Sequence, residues 1–187
     1  MSKVTPEIVE QFATLCDDAY AAWIVRRGLF DDNAWLRDAD TTFIMYGLAA
    51  LDRITMEHAL LQIAKLHDPA KHSGNENLSL NFLLSYGNWD AGVSAQLMKH
   101  CAVLDAFYGQ IKSARNKLVA HNDLKALRSG AARGAFSEGA DREYFQHLQS
   151  FLNTIHEAVV GGPRLFFDLL RSDISILGRR MCQRGDA

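Results

Sequence analysis

Apolar residues recur at every third or fourth position through several long stretches of this chain, and nowhere do they alternate with a period of two. That contrast limits the fold to helices, because a stripe at helical spacing buries one face of a helix, whereas a half-buried strand needs strict alternation. Ile8, Phe12, Leu15, Ala19 and Trp23 form the first stripe, behind Thr5-Pro6-Glu7, which combines a capping hydroxyl with proline at the first helical position. This helix is expected to run to about Phe30, where Asp31-Asp32-Asn33 interrupts it. A second stripe, through Ile44, Leu48, Leu51, Leu60, Ile63 and Leu66, ends at His67-Asp68 ahead of Pro69, whose ring disfavours helix before it. A third runs from about Ala91 to His121, and a fourth through Phe145, Leu148, Leu152, Ile155 and Val159 to a stop at Gly161-Gly162-Pro163.

These four helices, beginning near residues 5, 40, 91 and 142, predict an all-α bundle. A short helix is expected over Leu78 to Leu84 and a last one through Phe166, Leu170, Ile174 and Leu177, giving four to five main helices plus a short one. The polar stretch from Ala70 to Asn77 reads as an exposed loop, residues 129–140 as a mobile loop, and residues 179–187 as a frayed tail. With 187 residues, 48% of them hydrophobic and 22% charged, the chain suits one compact domain spanning residues 1–187.

Several functional classes are excluded or disfavoured. No apolar run approaches the roughly 20 residues that a membrane span requires, and Met1 to Pro6 has no hydrophobic leader, so a cytoplasmic protein away from membranes is expected. Cys16, Cys101 and Cys182 are odd in number and far apart, which fits reduced thiols rather than a disulfide framework or a zinc knuckle. His67, Asp68 and His72 are ligand types, but Pro69 breaks the spacing between them and they read as a solvated helix end. There is no E-x-x-H pair, no glycine loop for phosphate and no G-x-S-x-G, so no metal and no cofactor are expected. Asp17-Asp18 and Asp31-Asp32 read as solvated faces, and Trp23, Trp35 and Trp89 as core or interface anchors. The net charge of -2 conceals an acidic first half and a basic second half, an asymmetry that suits an anionic ligand or the docking of halves or subunits.

One motif breaks the apolar pattern. Leu97, Leu104, Phe107, Ile111 and Ala114 lie within about 60° of Leu118 on an ideal helix, and Arg115-Asn116-Lys117-Leu118-Val119-Ala120-His121-Asn122-Asp123 then places cation, amide and imidazole at the end of that stripe. Arg115 falls about 60° to one side of Leu118 and His121 about 60° to the other, roughly 9 Å apart along the axis. One helix does not bring them together, but two facing copies can converge two arginines and two histidines on a ligand. Guanidinium stabilises charge developing on phosphorus, and imidazole exchanges protons near neutrality. An arginine followed four to six positions later by a histidine recurs at Arg53/His58 and Arg142/His147, where Ile54 and Glu143 follow the arginine in place of an amide. In the structural alternative, Arg115 pairs with Asp52 or Asp68 from the second helix, His121 caps its own helix, and Asn122 ends it.

With Arg115-Asn116 followed by His121 at the end of a long bundle helix, the chain resembles the HEPN superfamily, in the branch of abortive-infection proteins of the U type. Ala120-His121-Asn122-Asp123, Leu66-His67-Asp68 and Asn77-Leu78-Ser79-Leu80 support the likeness, which covers about residues 40 to 160. The resemblance implies a metal-independent endoribonuclease of toxin or antiphage-defence type, acting as a homodimer and leaving 2′,3′-cyclic phosphate ends. Arg115, His121 and Asn116 would be its catalytic residues, with Lys117, Asn122 and Asp123 in binding roles. It equally implies the alternative of a non-catalytic module that binds RNA, nucleotide or a partner protein, such as an antitoxin or a nucleotidyltransferase.

Overall fold

The computed structural model describes residues 3–31, 45–115, 139–166 and 169–183, and its architecture is an all-α bundle. The helices are α1 (Pro6–Arg26), α2 (Met45–Leu66), α3 (Leu80–Tyr86), α4 (Ala91–Arg115), α5 (Ala140–Val159) and α6 (Leu169–Gln183). Helix α1 packs on α2 and α5, and α4 packs on the same two, so four helices close a ring around one core. Helix α3 leans on α4, and α6 lies against α1 and the turn that follows it.

Side-chain caps define the starts. Thr5 accepts the Ile8 amide ahead of Pro6, Ser79 accepts the Phe82 amide at 3.2 Å, and the Asp90 carboxylate accepts the Val93 amide at 2.8 Å. The Ser79 cap sets α3 two residues later than the spacing suggests, at Leu80 rather than Leu78. At the other end of the fold, Gly161 and Gly162 stop α5 with φ of 96° and 87°, left-handed values that only glycine adopts at little cost. Their fold-back lets His156 hydrogen-bond the Gly162 carbonyl at 2.6 Å and Glu10 of α1 at 3.1 Å.

Phe12 and Cys16 of α1, Ile63 and Leu66 of α2, Leu97 and Leu104 of α4, and Leu148, Phe151 and Leu152 of α5 fill the core with no more than 6% exposure each. Each buried aliphatic or aromatic side chain contributes about 1.5–3 kcal/mol relative to exposure. Trp23 is buried in the core and Trp89 packs against it, its indole donating to the Leu83 carbonyl at 2.9 Å, while Trp35 lies outside the described residues. Cys16 and Cys101 are buried free thiols.

Local geometry departs from the expectations in several places. The first helix is α-helical to Arg26 and then widens into a π-turn, Arg27–Asp31, where Gly28 lets Ile174 of α6 approach the backbone. The 70–77 stretch holds a two-residue hairpin, Lys71–His72 against Asn75–Glu76, turned by Ser73 and Gly74 with φ of 50° and 90°. Phe166 lies ahead of the last helix, which spans Leu169–Gln183. The segment 129–140 lies outside the described residues as far as 138, and Ala140 opens α5. Asp17 and Asp31 are not simply solvated: Asp17 pairs with Arg164 at 2.9 Å, and Asp31 pairs with Arg26. Among the described residues, no helix is long and apolar enough to cross a membrane.

Candidate functional site

Helix α4 carries its buried stripe through Leu97, Cys101, Leu104, Phe107 and Ile111 and is described to Arg115. The Arg115 side chain and all of Asn116, Lys117, His121, Asn122 and Asp123 lie outside the described residues. The Arg115 backbone stands at one end of the bundle. His100 meets His147, and Phe107 meets Tyr144, so α4 and α5 run antiparallel and the last turn of α4 stands beside the first turn of α5. The last turn of α1 reaches the same end, because Trp23 and Arg27 both contact Asp141.

Asp141 organises this end. It is buried, 6% exposed, and accepts hydrogen bonds from the Trp23 indole at 3.1 Å and the Arg27 guanidinium at 3.0 Å. Its charge also sits in the first turn of α5, where the helix dipole favours an anion. Gly139, with φ of 84° and no capping side chain, precedes it, so the carboxylate at Asp141 takes on the electrostatic part of a cap. Behind it, Arg26 approaches Asp52 of α2 at 3.3 Å. Asp52, one of the two partners considered for Arg115, therefore already faces a cation from α1.

An open groove of about 770 Å³ runs from Arg27 and Arg142 along α1 and α5 to Phe166 and Arg171. Among the described residues, three arginines line it and no carboxylate does. Its aromatic wall is a connected set: Tyr20 stacks on Phe166 with centroids 4.8 Å apart, meets Phe145 edge-on at 5.5 Å, and accepts an Arg171 hydrogen bond at 3.1 Å. Gln149 holds the strap ahead of α6 by accepting the Phe166 amide at 2.8 Å, and Asn153 accepts the Arg164 amide at 3.1 Å. Arg142 is exposed and makes no ion pair with any described residue.

A second polar constellation is internal. His67, expected at a solvated helix end, is buried at 7% exposure, because it continues the inward row of Leu60 and Ile63. Its Nδ1 lies 3.0 Å from Asp105 of α4 and its Nε2 3.1 Å from the Tyr144 hydroxyl of α5, while its ring stacks on Tyr108 at 4.3 Å. A carboxylate can only accept, so Nδ1 donates to Asp105 and the phenol donates to Nε2, which fixes the neutral tautomer. Burial pushes the His67 imidazole below its ordinary value, against the opposing pull of Asp105. Burial also pushes Tyr144 well above the usual phenol range. With Tyr144 fully enclosed and the His67 side chain buried, this trio ties α4 and α5 to the end of α2, and of the three only the Asp105 carboxylate reaches solvent.

The thiols are no better placed for chemistry. Burial raises the Cys16 thiol, and Cys101 is pushed up to about 12, so neither is a thiolate nucleophile near neutrality. No group of three or more potential metal-ligating side chains occurs among the described residues. Of the two secondary arginine-histidine spacings, Arg142/His147 is split between two faces of α5: Arg142 lines the groove, and His147 bonds His100 at 3.0 Å. Arg53 instead faces Glu57 at 4.0 Å, one turn along α2.

Sequence reasoning missed the groove, since its arginines at 27, 142 and 171 come from three separate elements and each looks like an ordinary surface cation. The one available signal was the positive balance of the second half, which supplies Arg142 and Arg171. A family profile described as AbiU2, within HEPN, matches residues 6–176, a wider span than residues 40–160. No curated protein and no solved structure gives a match.

Proposed function

The chain belongs to the AbiU2 family of HEPN domains, and on that premise we propose that it is a metal-independent endoribonuclease of toxin or antiphage-defence type. Its composite site is formed by Arg115, Asn116 and His121 from two copies of the chain, with Lys117, Asn122 and Asp123 around the phosphate. The observation that carries this reading is the position of Arg115: its backbone lies on α4 one turn beyond the buried Ile111, at the end of the bundle where Arg27 and Arg142 stand. A strand approaching that end meets the positive charge of the exposed Arg142.

In this mechanism His121 takes the proton from an RNA 2′-hydroxyl as the oxygen attacks the adjacent phosphorus in line. The P–O5′ bond breaks, a protonated His121, that of the second copy, supplies the proton to the leaving oxygen, and the products are a 2′,3′-cyclic phosphate and a 5′-hydroxyl. Arg115 stabilises the additional negative charge on the phosphoryl oxygens, and Asn116 positions the phosphate or the imidazole. The test is RNA cleavage in the presence of EDTA, comparing wild type with Arg115→Ala and His121→Ala and mapping the ends. Each variant is expected to abolish cleavage while keeping the helical circular-dichroism spectrum. Cleavage retained in both variants, or cleavage by wild type only when metal is added, refutes the reading.

A non-catalytic module that binds RNA, nucleotide, an antitoxin or a nucleotidyltransferase is the second reading, and the groove favours it, because cations and aromatic rings bind without needing a general base. Wild type that binds RNA yet cuts none decides for it.

A further inference from the structure

We propose that His100 of α4 and His147 of α5 form a site for one divalent transition-metal ion of the zinc, nickel and copper class. The two Nδ1 atoms are the protein ligands, and water completes the coordination. The inference is independent of RNA and of cleavage.

Geometry comes first. The Nδ1 atoms of the two rings are 3.0 Å apart and the ring centroids 5.1 Å apart. Because the nitrogens are closer than the centroids, they lie on the facing sides of the rings. Two donors held at a right angle by metal–nitrogen bonds of about 2.0–2.1 Å stand about 2.8–3.0 Å apart, and at a tetrahedral angle about 3.3–3.4 Å. The observed separation is that of neighbouring ligands on tetragonal copper or nickel, and a small side-chain rotation reaches the zinc value.

The surroundings set this pair apart from the other inward-facing histidines. His67 meets Asp105 and Tyr144, and His156 meets the Gly162 carbonyl and Glu10, so both of those rings are engaged at both nitrogens. His100 and His147 meet only each other: among the described residues neither pairs with a carboxylate, and neither Nε2 makes a hydrogen bond. The hydrogen bond that they share contains one proton. Moving that proton to the Nε2 of its own ring leaves two neutral imidazoles with both Nδ1 lone pairs open to a metal, at no change in charge. Burial, with His147 and Lys99 adding to it, holds the His100 imidazole below its ordinary value, so it is neutral near pH 7 and a metal displaces no proton from it. Lys99 opposes a divalent ion, whereas the exposed Glu143, one turn before His147 on α5, favours one. Both imidazoles are partly exposed, so an ion with its waters can reach them.

His100 is about 22 Å from Arg115 along the axis of α4, too far for the ion to touch a phosphate at the motif. The ion therefore acts as a cross-link between α4 and α5, and stabilises the fold by mass action.

The test is zinc titration by isothermal calorimetry on the tag-free full chain, as wild type, His100→Gln, His147→Gln and, for comparison on another helix, His58→Gln. Wild type is expected to bind one ion per chain, each of the first two variants to bind it at least about tenfold more weakly, and His58→Gln to match wild type. Zinc is expected to raise the melting temperature of wild type and to leave both pair variants unchanged. Copper(II) reads the ligands directly: its paramagnetic resonance spectrum is expected to show coupling to two nitrogens in wild type and to lose that pattern in either variant. No zinc binding by wild type, or equal affinity in both pair variants, overturns the proposal. If a variant does not fold, the copper spectrum of wild type decides, since the lack of a two-nitrogen pattern also overturns it. RNA cleavage in EDTA is expected to be the same in wild type and both pair variants. Zinc bound through the pair with no RNA cut leaves the site standing and the nuclease reading refuted, and RNA cut in EDTA with no zinc bound does the reverse.

Discussion

Replacing Tyr144 by phenylalanine removes one oxygen and little else, which makes it a sharp test of the internal His67 network. The ring stays where it is, against Phe107 at 4.8 Å and Phe145 at 5.1 Å, so the packing contribution is kept. The loss is the hydroxyl that donates to His67 Nε2 at 3.1 Å. Tyr144 is fully buried and the His67 side chain only 2% exposed, so water cannot take the place of the phenol. A buried acceptor left without a donor costs about 1–3 kcal/mol. For a domain of this length, each kcal/mol lowers the melting temperature by about 2–4 °C, so a drop of roughly 2–12 °C is expected. Urea denaturation followed by helical circular dichroism at neutral pH measures it. The double variant Tyr144→Phe/His67→Leu is expected to lose less than the two single variants added together, with a coupling of about 0.5–3 kcal/mol, because neither orphaned partner remains. Asp105→Asn is expected to cost less than Tyr144→Phe, since Asp105 is 65% exposed and water can serve the histidine from that side. A Tyr144→Phe protein within about 0.5 kcal/mol of wild type would show that the three groups are merely adjacent.

Two further outcomes follow from packing and titration. A Cβ added at Gly28 would stand 2.4 Å from Ile174 Cγ2, so Gly28→Ala is expected to destabilise by about 1–3 kcal/mol and to make α6 sensitive to limited proteolysis. In contrast, Gly109→Ala, with nothing within 4 Å, is expected to stabilise α4 by about 0.5–1 kcal/mol; equal behaviour of the two variants refutes the close approach. Acid is expected to destabilise the fold through His67 and His100, whose folded-state values are both depressed, chiefly by burial. A depressed value means that the unfolded chain takes up the proton first, so stability is complete above the ordinary imidazole value of about 6.5 and declines as pH falls below it. Denaturation midpoints measured above and below that value check the sign, and a His67→Gln protein with an unchanged pH dependence removes His67 from the explanation.

Most of the fold was legible because helical periodicity and end signals are local. The Thr5-Pro6 start, the stripe through Leu97 to Ile111, and the Gly161-Gly162 stop each act within a few residues of where they are written. What the chain did not announce depends on pairs far apart in sequence. Asp105 and Tyr144 lie 38 and 77 residues from His67, so its inward role looked like a polar helix end. Asp141 shows the same difficulty: a first-turn carboxylate reads as exposed, yet Trp23 and Arg27, 118 and 114 residues earlier, draw it into the interior. The π-turn after Arg26 serves a contact with α6 that no window around it contains. For the candidate site, periodicity located the end of α4, and the residues that follow Arg115 lie outside the described residues.

The closed ring also has a consequence for synthesis. Helix α1 finds one neighbour, α2, soon after it is made, but α5 and α6 follow more than a hundred residues later. Until they leave the ribosome, Phe12, Cys16 and Trp23 lack the surfaces that cover them in the finished fold, and Asp141 cannot yet meet Arg27. Domains whose contacts are this non-local acquire structure late and expose apolar surface while they wait. A ribosome stalled on this message before α5 would therefore hold a chain whose core is still open on the side that α5 and α6 close.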